Sequence, residues 1–251
     1  MAAIDLNADL GETVAGVPTA DDEAMFAVIS SASIACGGHA GDAASVRDAV
    51  VRAARFEVAV GAHPSYPDPA NFGRHSMELD PAELTAEIGR QLAALREAGA
   101  SIRYVKPHGA LYNRIVTDGA HAAAVADAVA ALSEAFGRPV PVLGLGGEIA
   151  AAAAERGLPF VTEAFLDRGY RADGSLVPRD EPGALLENPD VVAERALQLV
   201  VEGVVTSTDG RRVDVHAASL CVHGDSPGAV AMARAVRAAL DGRGIEVRAP
   251  W

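Results

Sequence analysis

The sequence predicts an α/β protein built as a distorted seven-stranded (β/α) barrel of the TIM type. Two observations support this fold class. Short β-branched or apolar runs alternate with longer alanine-rich stretches, which is typical of βα units and a parallel sheet. Polar residues also stand at the carboxyl ends of strands from both halves of the chain. A barrel rim explains that distribution, whereas an open sheet concentrates its ligand contacts at one switch point.

Each predicted unit pairs a strand with a helix. Strands are predicted over residues 3–7, 33–37, 58–63, 102–107, 140–145, 159–165 and 218–224, with 244–250 as a candidate eighth. Helices are predicted over residues 20–32, 42–56, 81–98, 118–136, 147–156, 189–203 and 226–241. Asp80 and Asn188, each followed by proline, are typical of residues that begin a helix.

The domain organisation is predicted to be simple. A length of 251 residues suits one barrel domain, 1–251, and no shift in composition marks a boundary. Residues 204–215 interrupt the βα rhythm, because two β-rich runs flank an Asp-Gly turn and predict a small inserted hairpin. The longest irregular stretch, 166–188, is rich in glycine, proline and charge, and we expect it to act as a lid.

The composition excludes several classes of function. A formal net charge of −13 leaves no basic stripe for a phosphate backbone, so neither nucleic acid nor an anionic membrane is an expected partner. No run approaches the roughly twenty apolar residues of a membrane helix, and acids stand where a signal peptide needs cations. We therefore expect a cytoplasmic protein. Cys36 and Cys221 lie in apolar runs without CxxC spacing and are expected to be small buried core residues.

The first strand delivers acids to the predicted rim in the motif DLNADLGE. Alternation puts Asp5, Asn7 and Asp9 on one face, inside the barrel or at its rim, where charges are costly unless used or paired. Asp9 and Glu12 are therefore candidate catalytic residues, and Asn7 is a candidate for substrate binding. Asp5 is equally well explained as a buried carboxylate that accepts hydrogen bonds from backbone amides of neighbouring loops.

The second and third strands are followed by histidines. His39 follows the paired glycines of IACGGHAGD, and His63 ends VAVGAH, so both are catalytic candidates. Asp42 is either the N-cap of the next helix or part of a substrate site. Arg74, in NFGRH, suits a substrate carboxylate because its guanidinium binds both oxygens, although an exposed arginine is the alternative.

Lys106 is the only lysine in the chain, against twenty arginines. In such a composition, a lysine at a strand end indicates a role that needs a compact ammonium or a shiftable pKa. His108 lies two residues further on, and both are catalytic candidates.

The last strands supply the remaining candidates for substrate binding. These are Glu163, Asp167 and Arg168 in TEAFLDRGY, and His223 and Asp225 in CVHGDSPGA. Some of them are expected to form internal ion pairs. Backbone amides at the helix start after Asp225 could hold an anionic group.

Two cofactor questions follow from these motifs. Histidines and acids at strand ends suit Zn, Mn or Fe, with Asp9, His39 and His63 as ligands if a metal is bound. No HExxH-type spacing occurs, so a bound transition metal is not the expected outcome. The GxxxxGK[ST] loop does not occur either, so any nucleotide site is unconventional or lies on a partner.

Six motifs together resemble the signature blocks of the LamB/YcsF family, in the family's order and from residue 5 to residue 225. They are DLNADLGE, IACGGHAGD, GAHPSYPD, VKPHGALYN, EAFLDRGY and CVHGD. The resemblance implies a distorted barrel related to glycoside hydrolase and polysaccharide deacetylase barrels. It also implies an enzyme that hydrolyses 5-oxo-L-proline, or a similar small lactam, with ATP and Mg²⁺, in a complex with two further subunits, B and C.

Two other functions are compatible with the same residues. One is a metal-dependent acyl or amide hydrolase of the deacetylase-like barrel class. The other is a non-catalytic, substrate-binding subunit whose complex carries its catalytic residues mainly on subunits B and C.

Overall fold

The computed structural model describes residues 2–251 of the chain. The strands of this part are β1 (Ala3–Leu10), β2 (Thr13–Val14), β3 (Val17–Pro18), β4 (Ser31–Ala35), β5 (Ala59–His63), β6 (Ile102–Val105), β7 (Val142–Gly144), β8 (Phe160–Phe165), β9 (Val204–Thr206), β10 (Arg212–Asp214), β11 (Ser219–Cys221) and β12 (Glu246–Val247). The helices are α1 (Asp22–Phe26), α2 (Ala43–Arg55), α3 (Pro81–Glu97), α4 (Gly109–Arg114), α5 (Gly119–Phe136), α6 (Glu148–Glu155), α7 (Pro189–Glu202) and α8 (Ala229–Asp241), with a 3-10 turn at Pro69–Asn71.

Seven parallel strands close into a barrel in the order β1, β4, β5, β6, β7, β8 and β11. The pairing of β11 with β1, from Asp5 opposite Ser219 to Asn7 opposite Cys221, completes the ring. The predicted seven-stranded barrel is therefore confirmed. Because all seven strands are parallel, their carboxyl ends open on one rim.

The candidate eighth strand is reduced to the two residues of β12, which pair with Ala3 and Ile4 at the start of β1. The carbonyl oxygen of Ile4 accepts from the Arg248 amide and that of Leu6 from the Ser30 amide. Carbonyls two residues apart point to the same side of a strand, so β12 lies on the β4 side of β1. It covers the amino end of the barrel and does not join the ring.

Alternation along β1 sorts its side chains into two environments. Every second residue from Ile4 to Leu10 is apolar and lies in the core between the barrel and its helices. Asp5, Asn7 and Asp9 point into the barrel, where side chains from non-adjacent strands reach Asn7 and Asp9. The interior is therefore polar towards the carboxyl rim, and most of the hydrophobic core lies outside the ring of strands.

The first helix is shorter than the predicted 20–32, since α1 ends at Phe26 and β4 already begins at Ser31. The hydroxyls of Ser30 and Ser31 donate to the Asp5 carboxylate, at 2.7 and 2.8 Å. These bonds and the pairing of β4 with β1 hold the segment extended, so tertiary contacts override the local helical pattern.

Two irregular regions shape the chain around the barrel. Residues 204–215 carry β9 and β10, which pair antiparallel. The stretch 166–188 is held by two isolated bridges, between Arg168 and Leu185 and between Tyr170 and Leu176. The β2–β3 hairpin and α4 have no counterpart in the sequence prediction. Within residues 2–251, no helix combines the length and the apolar character needed to span a membrane.

Candidate active site

A pocket of about 670 Å³ opens at the carboxyl rim of the barrel, where active sites of such barrels form. Its wall includes part of the long irregular loop, residues 176–180. The other lining side chains that matter for the chemistry are Asp9, His63, Arg74, Lys106, His108, Tyr112, Phe165, Arg168 and His223.

Lys106 follows β6 and is buried at the pocket, with its side chain 2% exposed. Its Nζ lies 2.8 Å from Asp9 Oδ1 and 2.9 Å from Glu163 Oε2. It also donates to Asn7 Oδ1 at 3.1 Å and to Cys221 Sγ at 3.2 Å. We call these five residues, from strands β1, β8 and β11 and the end of β6, the lysine cluster.

Opposite charges dominate the electrostatics of the lysine cluster. Burial by itself lowers the pKa of Lys106, but the carboxylates of Asp9 and Glu163 raise it well above its ordinary value. Burial also raises the pKa of Asp9, but the charges of His63 and Lys106 outweigh it and hold that pKa well below its usual range. At neutral pH the cluster therefore contains a fixed ammonium and an ionised Asp9.

Glu163 is held on both of its oxygens. Tyr112, on α4, donates its hydroxyl to Oε1 at 2.8 Å, and Asn7 donates to Oε2 at 3.0 Å. The sequence analysis did not identify Tyr112, although this residue lies one helical turn after His108. It also did not identify the contact between Cys221 and Lys106. Alternation along the predicted strand 218–224 provides the signal for Cys221, because Cys221 and His223 lie two residues apart in it, although β11 ends at Cys221 in the structure.

The imidazole cluster, as we call Glu12, His39, His63 and His108, lies beside the lysine cluster. His39 Nε2 is 3.0 Å from Glu12 Oε1, His108 Nδ1 is 2.9 Å from His63 Nε2, and His108 Nδ1 is 3.7 Å from Glu12 Oε1. The four residues follow or end β1, β4, β5 and β6, which are neighbours in the barrel.

The imidazole cluster could hold a metal ion, because one donor atom from each of its four residues lies within 4.8 Å of the others. This set differs from the predicted Asp9, His39 and His63. Glu12 and His108 join His39 and His63, while Asp9 is paired with Lys106 and lies 3.4 Å from His63 Nε2.

Burial sets the protonation states of the imidazole cluster. It lowers the pKa of His39 and of His108 well below the ordinary value, and the neighbouring imidazoles lower both further. Both rings are therefore neutral at pH 7. Burial, reinforced by the charge of Asp9, raises the pKa of Glu12 to about 8.

A second histidine–carboxylate pair lies at the rim. Asp167 Oδ1 is 2.9 Å from His223 Nδ1, and Oδ2 accepts from the His223 amide at 3.1 Å and the Ser226 hydroxyl at 3.0 Å. Burial raises the pKa of Asp167, but the charge and hydrogen bonds of His223 outweigh it, so the pKa is lowered. Because Nδ1 faces the carboxylate, Nε2 is the ring nitrogen left for the pocket.

The two predicted carboxylate-binding arginines have different surroundings. Arg74 lines the pocket with a side chain that is 39% exposed and pairs with Asp225 at 2.6 Å. Arg168 donates to the carbonyls of Val177 at 2.6 Å and Ala184 at 3.2 Å, which holds the long loop. Burial lowers the pKa of Arg168 to about 10. Arg74 therefore has more donors available for a ligand.

Asp42 is not brought to the pocket. Its carboxylate accepts from the amides of Ala44 and Ser45, each at 2.9 Å, and so caps α2. The other predicted residues that do not line the pocket lie directly behind its lining side chains; they are Asn7, Glu12, His39, Glu163, Asp167 and Asp225.

Asp5 lies deeper in the barrel than the lysine cluster. Its carboxylate accepts from the hydroxyls of Ser30 at 2.7 Å, Ser31 at 2.7 Å and Ser219 at 2.5 Å, rather than from the backbone amides expected from the sequence. Burial raises its pKa to about 6, against the lowering effect of the three hydroxyls.

The chain is similar to known proteins over almost its entire length. The LamB/YcsF family model matches residues 4–250. The A subunit of 5-oxoprolinase from Streptomyces griseus subsp. griseus is 55% identical over 251 residues, which cover 98% of this chain and 99% of the relative. The corresponding A subunit from Cutibacterium acnes is 48% identical over 254 residues, covering 99% of each.

Two solved structures resemble this chain, one in sequence and fold and the other in fold alone. The lactam utilization protein from Thermus thermophilus is 42% identical and has a TM-score of 0.90, over 98% of this chain and 99% of that chain. A putative cellobiose-phosphate cleavage protein from Enterococcus faecalis is only 12% identical, with a TM-score of 0.59 over 98% of this chain and 96% of that chain. The second likeness shows the fold alone.

Proposed function

The chain belongs to the LamB/YcsF family, and from that premise we propose that it is the A subunit of an ATP-dependent 5-oxoprolinase. In this role it hydrolyses 5-oxo-L-proline, or a closely similar small lactam, to L-glutamate with ATP and Mg²⁺, together with subunits B and C. The observation that carries the proposal is the similarity, over almost the entire chain, to relatives named as A subunits of 5-oxoprolinase.

A five-membered lactam resists hydrolysis because amide resonance must be broken, and coupling to ATP removes that obstacle. The lactam oxygen attacks the γ-phosphorus of ATP, and ADP leaves. Water then adds to the activated carbon, and the carbon–nitrogen bond breaks as the ring nitrogen takes a proton. A second water hydrolyses the resulting acyl phosphate to glutamate and phosphate.

Lys106 has a charge suited to this chemistry. Its ammonium lies at the pocket, and Asp9 and Glu163 hold it in place, so its positive charge is preorganised towards a lactam or phosphoryl oxygen. Its N–H groups are already shared among the other members of the lysine cluster. We therefore assign to Lys106 an electrostatic role rather than proton transfer.

Proton transfer falls to the histidines. The lowered pKa of Asp9 makes its carboxylate a weak base, so Asp9 would orient the attacking water. His63 Nε2, 3.4 Å from Asp9, would accept the proton while it is neither protonated nor bound to a metal ion. His223, oriented by Asp167, presents Nε2 to the pocket and could protonate the leaving ring nitrogen. Glu12 and His39 would act through the lining histidines.

Arg74 is the proposed partner of the substrate carboxylate. It lines the pocket, and its bond to Asp225 orients the guanidinium without burying it. Arg168 remains a candidate, but two of its donors already hold the carbonyls of the long loop. In this proposal the long loop 166–188 is the lid of the pocket, and Arg168 holds its conformation. The chain is proposed to form one barrel domain and to work in the cytoplasm.

The central test is glutamate release from 5-oxoproline, with and without ATP, by the chain alone and by the chain mixed with subunits B and C. We expect release only from the complete mixture and only with ATP. Lys106→Arg should abolish most of it, because a planar fork cannot replace a compact ammonium between two carboxylates. The matched control is Arg103→Lys on the exposed side of β6, which should retain activity.

The same assay separates the other two functions. ATP-independent release by the isolated chain, abolished by a chelator, would favour a metal-dependent amide hydrolase, for which the imidazole cluster is the supporting observation. Binding of 5-oxoproline without turnover, in a complex that stays active after substitution of Lys106 and Asp9, would favour a substrate-binding subunit. Detection of the chain outside the cytoplasm by cell fractionation would contradict the proposed location.

A further inference from the structure

Backbone carbonyls set the tautomers of two rings in the imidazole cluster. His63 Nδ1 lies 2.7 Å from the carbonyl oxygen of Lys106, and His108 Nε2 lies 2.9 Å from that of Phe72. A carbonyl oxygen can only accept, so each of these nitrogens carries the ring hydrogen. In a neutral ring the second nitrogen then carries a lone pair.

Those second nitrogens face each other. His63 Nε2 and His108 Nδ1 are 2.9 Å apart, which is a hydrogen-bond distance, yet a ring that carries a single hydrogen has none left to donate there. Glu12 Oε1 lies 3.7 Å from the same His108 nitrogen. Buried acceptors that face one another without a donor are unfavourable, whereas a cation among them satisfies them together.

We infer that the imidazole cluster binds one divalent first-row transition-metal ion through Glu12, His39, His63 and His108. Two atoms that are each about 2.1 Å from one ion lie about 3.0 Å apart at a right angle and about 3.4 Å apart at the tetrahedral angle. The separations of 2.9, 3.0 and 3.7 Å in the cluster span this range. Three imidazole nitrogens and one carboxylate oxygen form a donor set suited to Zn²⁺ and its neighbours.

A shared proton explains the cluster less completely than a metal ion. It would join His63 to His108 but would leave Glu12 and His39 bonded only to each other, at 3.0 Å. His39 Nδ1 is buried and has no hydrogen-bond partner among residues 2–251, so this ring is aimed by its stacking on His108 and by Nε2, which faces Glu12. All four side chains thus direct a donor atom at one space.

The loop beside the cluster holds the rings rigidly. Phe72 has a φ of 54°, an uncommon conformation for a bulky residue, and its carbonyl accepts from His108. A Cβ added to Gly73 would lie 2.8 Å from His39 Cβ and 3.0 Å from His108 Cδ2. The backbone therefore abuts both rings, and backbone bonds that fix the ring orientation are typical of metal-binding histidines.

The test measures metal binding by the untagged, chelator-treated full chain. We expect one Zn²⁺ per chain by calorimetry and metal analysis, and Co²⁺ should give the visible absorption of a nitrogen- and oxygen-ligated ion. His63→Gln and His108→Gln should each weaken binding more than about 100-fold. The matched control is His121→Gln, because His121 is buried but both its ring nitrogens are bonded, to Tyr66 and Leu79. Its binding should equal that of the wild type.

Two outcomes would overturn the inference: a wild-type chain that takes up neither Zn²⁺ nor Co²⁺, or a folded His108→Gln chain that binds as tightly as the wild type. If the histidine variants do not fold, pulsed electron resonance on the wild-type chain loaded with Cu²⁺ decides instead. Nitrogen couplings from imidazoles support the site, and their absence contradicts it. These measurements use neither ATP nor a lactam. A failure to bind metal therefore leaves the proposed function standing, and a failure to release glutamate leaves the metal site standing.

Discussion

In the lysine cluster an ammonium lies between two carboxylates, whereas in the adjacent imidazole cluster three rings and a carboxyl group face one another with no lysine or arginine among them. Both clusters are buried at the same rim, but the imidazole cluster comes from four neighbouring strands, whereas Lys106 reaches across the barrel from the end of β6 to β1 and β8. The difference is the source of positive charge. The chain supplies a lysine in one case, and we infer a metal ion in the other.

Asp5 and Asp9 show the same contrast within one strand. Both point into the barrel from β1, but Asp9 contacts Lys106, whereas Asp5 contacts only serine hydroxyls. Burial raises the pKa of Asp5 to about 6, and the charges of His63 and Lys106 overcome the same effect at Asp9. Depth alone therefore does not decide whether a carboxylate in this barrel is ionised; a nearby cation does.

The largest expected effect comes from removing the built-in cation. Lys106→Met leaves Asp9 and Glu163 buried without their counter-ion, and we expect the free energy of unfolding to fall by about 3–5 kcal/mol. Urea denaturation measures this loss. Lys106→Met/Glu163→Gln should recover part of it, and Arg103→Met on the exposed side of β6 should change stability by less than about 0.5 kcal/mol. A loss below about 1 kcal/mol for Lys106→Met would contradict this account of the cluster.

Asp5→Asn tests a carboxylate that has no cation. The folded-state pKa of about 6 lies above the ordinary value of 3.8, so between these values the folded chain binds the proton more tightly than the unfolded chain. The contribution of Asp5 to stability is therefore greatest below pH 4 and is lost as the pH rises through 6. A shift of about 2.2 pKa units corresponds to about 3 kcal/mol.

The measurement is the free energy of unfolding of Asp5→Asn minus that of the wild type, across pH. This difference should grow by about 2.4 kcal/mol from pH 4 to pH 7, which is most of the full effect. Asp42→Asn is the control, and its difference from the wild type should change with pH in the opposite direction. The reason is that the capping bonds from the Ser45 and Ala44 amides lower the pKa of that exposed carboxyl. A flat profile for Asp5→Asn would show that the serine hydroxyls compensate fully for burial.

The imidazole cluster should gain stability when its cation is supplied. A ligand that binds only the folded state, at 100 times its dissociation constant, raises the free energy of unfolding by about 2.7 kcal/mol. We expect Zn²⁺ to raise the melting temperature of the chelator-treated chain and of His121→Gln, but not that of His108→Gln. An equal rise in all three would place the binding outside the cluster.

The smallest expected effect on stability is at the rim. The Arg74–Asp225 bridge is partly exposed, so Arg74→Gln should change the free energy of unfolding by less than about 1 kcal/mol. In the proposed complex with subunits B and C, the KM for 5-oxoproline should rise by about tenfold or more with little change in kcat, since a charged hydrogen bond contributes about 1.5 kcal/mol or more. Asp225→Asn, which leaves the guanidinium in place, should not raise KM. An unchanged KM in Arg74→Gln would remove Arg74 from the carboxylate site.

The sequence by itself determined the barrel and the rim. Strand and helix periods are local properties of neighbouring residues, and parallel strands must bring their carboxyl ends to one side, so Asp9, His63, Lys106 and His108 could be placed together without coordinates. Helix caps such as Asp80 were equally readable, because capping depends on the next three residues.

Only the tertiary structure decided which of these residues are partners. The pairing of Lys106 with Asp9 and Glu163 crosses the barrel between strands far apart in sequence, and the imidazole cluster takes Glu12 and His108 in place of the predicted Asp9. Strand register and barrel closure set these distances, and neither is encoded in a local pattern. For the same reason, the serine bonds to Asp5 that shorten the first helix could be seen only in the folded chain.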